Sequence, residues 1–267
     1  MKWIQLLKMG REGRLGEDCV IMIMKFFKYM PAEYAMETLR TGLIKVATTA
    51  DVNDPNEVMP WLTRDGIDAP LEQIWGMARF RLAEKYGFVS LSTNWDSNPM
   101  WGLYADKFRG MALVFDYECK DSSPDLIQVK YSTWRYHITE GELDGQRNDS
   151  DMYERMRAMY ANKDKTWAFE NEWRRLVEIK KATPKTLENG EIGYFVDICK
   201  YLYLTGVVIG PNSNVSLNDV SDAVQGCIAD GFTVTQLCFD TRCFALQFKS
   251  RVKWLQGAWH PDGSTVI

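Results

Sequence analysis

Histidine is almost absent from this 267-residue chain, which has only His137 and His260. Neither sits in a recognisable motif, so a hydrolase built on a Ser–His or Cys–His dyad has little to draw on. The six cysteines, Cys19, Cys119, Cys199, Cys227, Cys238 and Cys243, include no C-x-x-C pair. With two histidines beside them, no zinc or iron–sulfur set assembles at normal spacing, and no metal is expected. Their scatter through apolar runs reads as reduced, buried thiols of a cytoplasmic protein, with Cys238 and Cys243 left unpaired. No apolar run approaches the roughly 20 residues of a membrane span, so no membrane partner is expected. A basic excess is also missing. The formal net charge is −4, which excludes a general polyanion-binding surface. The one basic patch, Lys249-Ser250-Arg251-Val252-Lys253-Trp254, reads as a solvated face.

What the chain has in quantity is apolar and aromatic bulk. Hydrophobic residues make up 46% and aromatics 13%, with ten Trp, enough to bury a sizeable core. Residues 1–23 read as a loop-like leader or a start-site extension, with Met24-Lys25-Phe26-Phe27-Lys28-Tyr29 as a fresh start. A single domain is expected over 24–267.

The periodicity predicts a short strand over 25–29, then a helix from Pro31 to about Arg40 with Gly42 as its cap. A strand at 43–47, a turn-rich loop at 51–57 and a helix over 71–86 come next. Further strands are predicted at 88–93, 110–116, 127–131, 204–209, 233–239 and 243–248, with helices at 100–108, 151–163 and 215–230. The stripe Met152, Met156, Met159 and Tyr160 reads as core rather than as a cofactor pocket. The fold class is therefore α+β, one domain with a mixed, mainly antiparallel sheet and flanking helices.

The segment richest in chemistry is Trp167-Ala168-Phe169-Glu170-Asn171-Glu172-Trp173-Arg174-Arg175-Leu176-Val177-Glu178-Ile179. From Glu172 the period is two, so Glu172, Arg174 and Leu176 point one way while Trp173, Arg175 and Val177 point the other. An extension reaching back to Glu170 would place Glu170, Glu172 and Arg174 on one face, about 7 Å apart at each step. Two carboxylates among aromatic walls have shifted proton affinities and can hold a ligand; the plain alternative is an exposed strand with charge pairs.

Two more segments carry polar groups. Asn53-Asp54-Pro55 is a turn former that suits the rim of a pocket or an ordinary turn. Ser90-Leu91-Ser92-Thr93 ends a strand in hydroxyls, with Ser90 and Ser92 on one side, and Trp101 and Tyr104 lie one helical turn apart. Hydroxyls beside two stacking aromatics suit a ribose and a flat ring. The alternative is a helix cap and core aromatics.

The order of these motifs, from Lys28-Tyr29 through N-D-P, S-L-S-T, M-W-x-x-Y-A, G-M-A-L-V-F-D and V-x-Y to W-x-x-E-x-E-W-R, resembles the bacterial and phage domain-of-unknown-function family 2971. The match runs from about Phe26 to Phe248. More distantly the layout is similar to the ADP-ribosyltransferase fold, in which a hydroxyl-bearing strand and a later E-x-E strand surround NAD. Ser90-Leu91-Ser92-Thr93 and Glu170-Asn171-Glu172 take those two places. Lys28-Tyr29 stands where that fold carries Arg or His.

The resemblance implies an ADP-ribosyl transfer with NAD as co-substrate. In it Glu172 meets the ribose 2′-hydroxyl of an oxocarbenium-like state and Glu170 orients or deprotonates the acceptor. Tyr29, Ser90, Ser92, Trp101 and Tyr104 would contact NAD, Lys28 or Arg174 would neutralise its diphosphate, and Asn53 and Asp54 would form the rim. The acceptor would be a macromolecule, protein or nucleic acid, and the role that of a toxin or phage-defence effector with a possible antitoxin partner. The rival from another class is a non-catalytic nucleotide-binding or interaction module, with Arg174 simply pairing with Glu172. A metal-dependent nuclease on Asp54, Asp96, Glu170 and Glu172 ranks last, because those acids share no motif spacing.

Overall fold

Alternating charge and bulk make the first long strand. In Lys25-Phe26-Phe27-Lys28-Tyr29-Met30, Phe26 and Tyr29 are buried, and Lys25 bonds the carboxylate of Asp116 at 2.6 Å, its direct cross-strand partner. A computed structural model describes residues 4–8, 20–64, 66–68, 70, 84–119, 126–139, 149–198, 202–224, 231–255 and 258–261. These residues form a mixed fold with a large, mainly antiparallel sheet and few helices. Contacts divide the chain into two compact units, Met1–Ile44 with Leu91–Ser123 and Asp197–Ile267, and Lys45–Ser90 with Pro124–Val196.

In the first unit the strands run in the order Ala258–Pro261, Leu246–Leu255, Thr233–Phe239, Tyr203–Ile209, Met111–Cys119 and Val20–Met30. Only the Tyr203–Ile209 and Thr233–Phe239 pair in that run is parallel. Fully apolar Met111-Ala112-Leu113-Val114-Phe115 is buried at the centre of this run, with Val207, Ile209, Val234 and Leu237 from its neighbours. Ile4–Lys8 adds to the sheet by pairing with Val20–Met24, so parts of the segment read as a loop-like leader are strand. The helix Ala32–Thr41 stops where Gly42, at φ +68°, returns its N–H to the Thr38 carbonyl, as the sequence predicts.

The predicted helix over 100–108 is instead Asn98–Tyr104, ended by Asp106, Lys107 and Phe108, all at positive φ. Gly110 follows because a Cβ there would lie 2.3 Å from the Met30 carbonyl oxygen. The last predicted strand begins at Leu246 rather than at 243. Asp240 accepts the N–H groups of Arg242 and Cys243 and holds that stretch as a turn. Cys243 is therefore an exposed free thiol and Cys238 a half-buried one, which corrects the expectation of buried thiols for this pair. The helix expected over 71–86 falls almost wholly outside the described residues.

The second unit packs Val58, Leu62, Phe88, Ile127, Ile138, Met156, Met159, Tyr160 and Leu176 into one core. Met156, Met159 and Tyr160 of the predicted stripe come from the helix Asp149–Tyr160 and are core, while the Met152 side chain lies outside what is described. That helix ends at Tyr160, and Asn162–Asp164 becomes a strand parallel to Lys130–Ser132. Glu172–Glu178 pairs antiparallel with Leu126–Gln128. Among the described residues no helix is long and apolar enough to cross a membrane.

Candidate functional site

Four backbone devices in the second unit aim five charged side chains at one buried point. The first is the N-D-P turn. Asp54 accepts the Asn56 N–H at 2.8 Å, the Glu57 N–H returns to the Asp54 carbonyl at 3.0 Å, and Arg135 clamps Asn56 through its carbonyl and side chain. Val58 then takes φ +57°, a conformation costly for a β-branched residue, and Glu57 turns inward to 5% exposure. Second, the strand Asn162–Asp164 pairs Lys163 with Tyr131 and buries Lys163.

The third device is a 3-10 helix, Lys165–Glu170, which Asp164 opens by accepting the Thr166 N–H. It ends at Asn171, whose φ of +43° turns the chain between the two carboxylates. Extended structure therefore begins at Glu172 and does not reach Glu170. The two glutamates still converge, through the turn rather than through strand alternation. Fourth, the strand Glu172–Glu178 alternates as read, with Glu172, Arg174 and Leu176 buried and Trp173 and Arg175 half-buried.

Lys163 Nζ donates to Glu170 Oε2 at 2.5 Å and to Glu172 Oε2 at 3.1 Å, and lies 3.4 Å from Glu57 Oε2. Arg174 Nε donates to Glu172 Oε1 at 2.9 Å, one terminal nitrogen reaches Glu172 Oε2 at 2.9 Å and also Glu57, and the other reaches the Tyr160 carbonyl at 2.8 Å. Its guanidinium lies 4.5 Å from the Phe88 ring centroid. The Trp167 ring faces Lys163 at 5.2 Å, and its Nε1 donates to Asp54 Oδ2 at 3.1 Å. Tyr131 Oη accepts the Glu172 N–H at 2.8 Å, and the Ser90 hydroxyl donates to the Glu172 carboxylate.

Three carboxylates face two cations, so the buried set carries one negative charge in excess when all are ionised. Burial raises the proton affinity of Glu172 and the Glu170 charge adds to it, while Lys163 and the Ser90 hydrogen bond oppose the rise. Burial pulls Arg174 down to about 9, which leaves it charged at neutral pH, and pushes Tyr131 up to about 12, so the phenol stays neutral. A carboxylate of raised affinity beside a second carboxylate is equipped to move or hold a proton. Among the described residues no set of His, Cys, Asp or Glu is arranged around a metal position. The point on which these three carboxylates converge is filled by the Lys163 ammonium.

Of the residues read from sequence, Ser90, Glu170, Glu172 and Arg174 come together here, with Asp54 one contact away and Asn53 exposed beside it. Lys28, Tyr29, Ser92, Trp101 and Tyr104 belong to the other unit. There the Trp101 ring is fully buried, donates to the Trp95 carbonyl at 2.7 Å and meets Tyr29 edge-on at 5.1 Å. Tyr29 Oη donates to the Asn94 carbonyl, Ser92 accepts the Asn94 N–H, and Lys28 and Tyr104 are half-buried. Asp96 is exposed in that unit. Glu57 and Lys163 were not singled out by sequence, and Tyr131 entered only as the last residue of V-x-Y, with no site role. The turn chemistry of N-D-P-N-E was the one available pointer to Glu57. The chain matches no protein-family model, no curated protein and no solved structure.

Proposed function

We propose that this chain is an NAD-dependent ADP-ribosyltransferase of the family-2971 type, with Glu172 as its central catalytic residue and a macromolecule as acceptor. The observation that supports this reading most is the convergence of Glu170, Glu172 and the Ser90 hydroxyl, a carboxylate pair with a serine on its second member. Breaking the nicotinamide–ribose bond builds positive charge on the ribose, and an ionised Glu172 at the 2′-hydroxyl stabilises that state more than the ground state. The 2′-hydroxyl would take the place of the Ser90 hydroxyl, one neutral donor for another. Glu170 then accepts the acceptor's proton as the new C–N or C–O bond forms and nicotinamide leaves. A mixed, mainly antiparallel sheet is compatible with the fold this function implies. In this reading the protein works in the cytoplasm as a toxin or phage-defence effector, and its NAD contacts begin with Ser90.

One observation favours the second reading, a non-catalytic nucleotide-binding or interaction module. Glu172 is 5% exposed and Arg174 is fully buried, with both Glu172 oxygens already receiving donors. A satisfied buried network of this kind can rigidify the fold with no catalytic role. Incubation with labelled NAD and host lysate separates the two readings. Transfer predicts label on macromolecules, removed by either nuclease or protease according to acceptor class. No label and no NAD-induced thermal shift would leave the binding module without its nucleotide.

A further inference from the structure

A lysine is rarely buried unless its charge is matched, and Lys163 is 7% exposed with three carboxylates around it. Arg174 spans Glu57 and Glu172, whereas Lys163 touches both members of the Glu170–Glu172 pair. The Trp167 ring lies 5.2 Å from its ammonium, and that ring is tied to the half-buried Asp54 of the N-D-P turn. We propose that Lys163 is the positioning residue of the Glu170–Glu172 pair, fixing its spacing and matching its charge from between the two carboxylates.

This proposal deepens the transferase reading and rests on it for the role of the pair, but not for the electrostatics. The titratable groups around Glu172 are Lys163, Glu170 and Arg174, with the Tyr131 phenol on its N–H and Glu57 reached through the shared Lys163 and Arg174. The Glu170 charge disfavours ionisation of Glu172, and Tyr131 is neutral. Lys163 is the largest influence opposing the burial of its charge. Its removal should leave Glu172 holding a proton where the wild type has lost it, and a protonated Glu172 cannot stabilise a ribose cation.

The test is a carboxyl titration by 13C NMR on protein labelled at the Glu side-chain carbons, with the Glu172 signal assigned by its loss in Glu172→Gln. Lys163→Met should move the Glu172 midpoint upward by about 1–3 pH units, the effect of a cation within 4–6 Å. Lys163→Arg should hold it near the wild-type value. Lys163→Gln, which removes the charge but keeps a hydrogen-bond donor for the pair, should also move it upward, and it decides the matter if Lys163→Met does not fold. A midpoint unmoved in Lys163→Met, or in Lys163→Gln when that variant must decide, overturns the proposal. Where wild type transfers label from NAD, the pH profile of transfer should move with the midpoint. No transfer by wild type would sink the transferase reading and leave the titration to judge Lys163.

Discussion

Arg174 is the residue on which the buried charges depend most. It is fully buried and bonded to Glu57, Glu172 and the Tyr160 carbonyl. Removing one partner of such a set leaves carboxylates without compensation, so Arg174→Ala should cost about 3–5 kcal/mol in urea unfolding. A loss below about 1 kcal/mol would mean the network contributes little. Glu172 adds a pH signature. Folded, it binds its proton more tightly than its ordinary value of 4.5 implies, because burial disfavours its charge. Between that value and its raised folded one, the native state carries the extra proton, and stability falls as pH rises. Wild type should therefore lose stability relative to Glu172→Gln, which cannot titrate, as pH climbs from about 4.5 upward. A difference that grows in favour of wild type would contradict the assignment.

Elements place these residues through two tight turns. Asn171, at φ +43°, lies between the two glutamates, and Val58, at φ +57°, follows Glu57. Asn tolerates the left-handed region and a β-branched residue does not. Asn171→Val should therefore cost roughly 1–2 kcal/mol and weaken whatever the carboxylate pair does, while Asn171→Gly should be close to neutral. Thermal unfolding of the two variants side by side checks this. The strand Glu172–Glu178 was legible because its period of two separates Glu172, Arg174 and Leu176 from Trp173 and Arg175. Glu170 was placed near Glu172 by strand geometry that does not exist. The 3-10 turn Lys165–Glu170 carries no apolar period and looks from sequence like more extended chain.

At the scale of the whole molecule, the mixed sheet was legible because a central strand, Met111–Cys119, opens on the continuous apolar run Met111–Phe115. The full charged set was not. Arg174 meets Glu57 across 117 residues of sequence, and no local spacing encodes such a pairing. Lys163 ends an amphipathic helix pattern and gives no sign that it will be buried among carboxylates. A net charge of −4 over the chain says nothing of this interior set, in which acid exceeds base by one. The most direct test of the account is nicotinamide release from NAD by wild type and Glu172→Gln at equal folded concentration. The account predicts release by wild type and a loss of roughly 100-fold or more in the variant. Release that survives in Glu172→Gln within about tenfold of wild type, or no release by either protein, would contradict it.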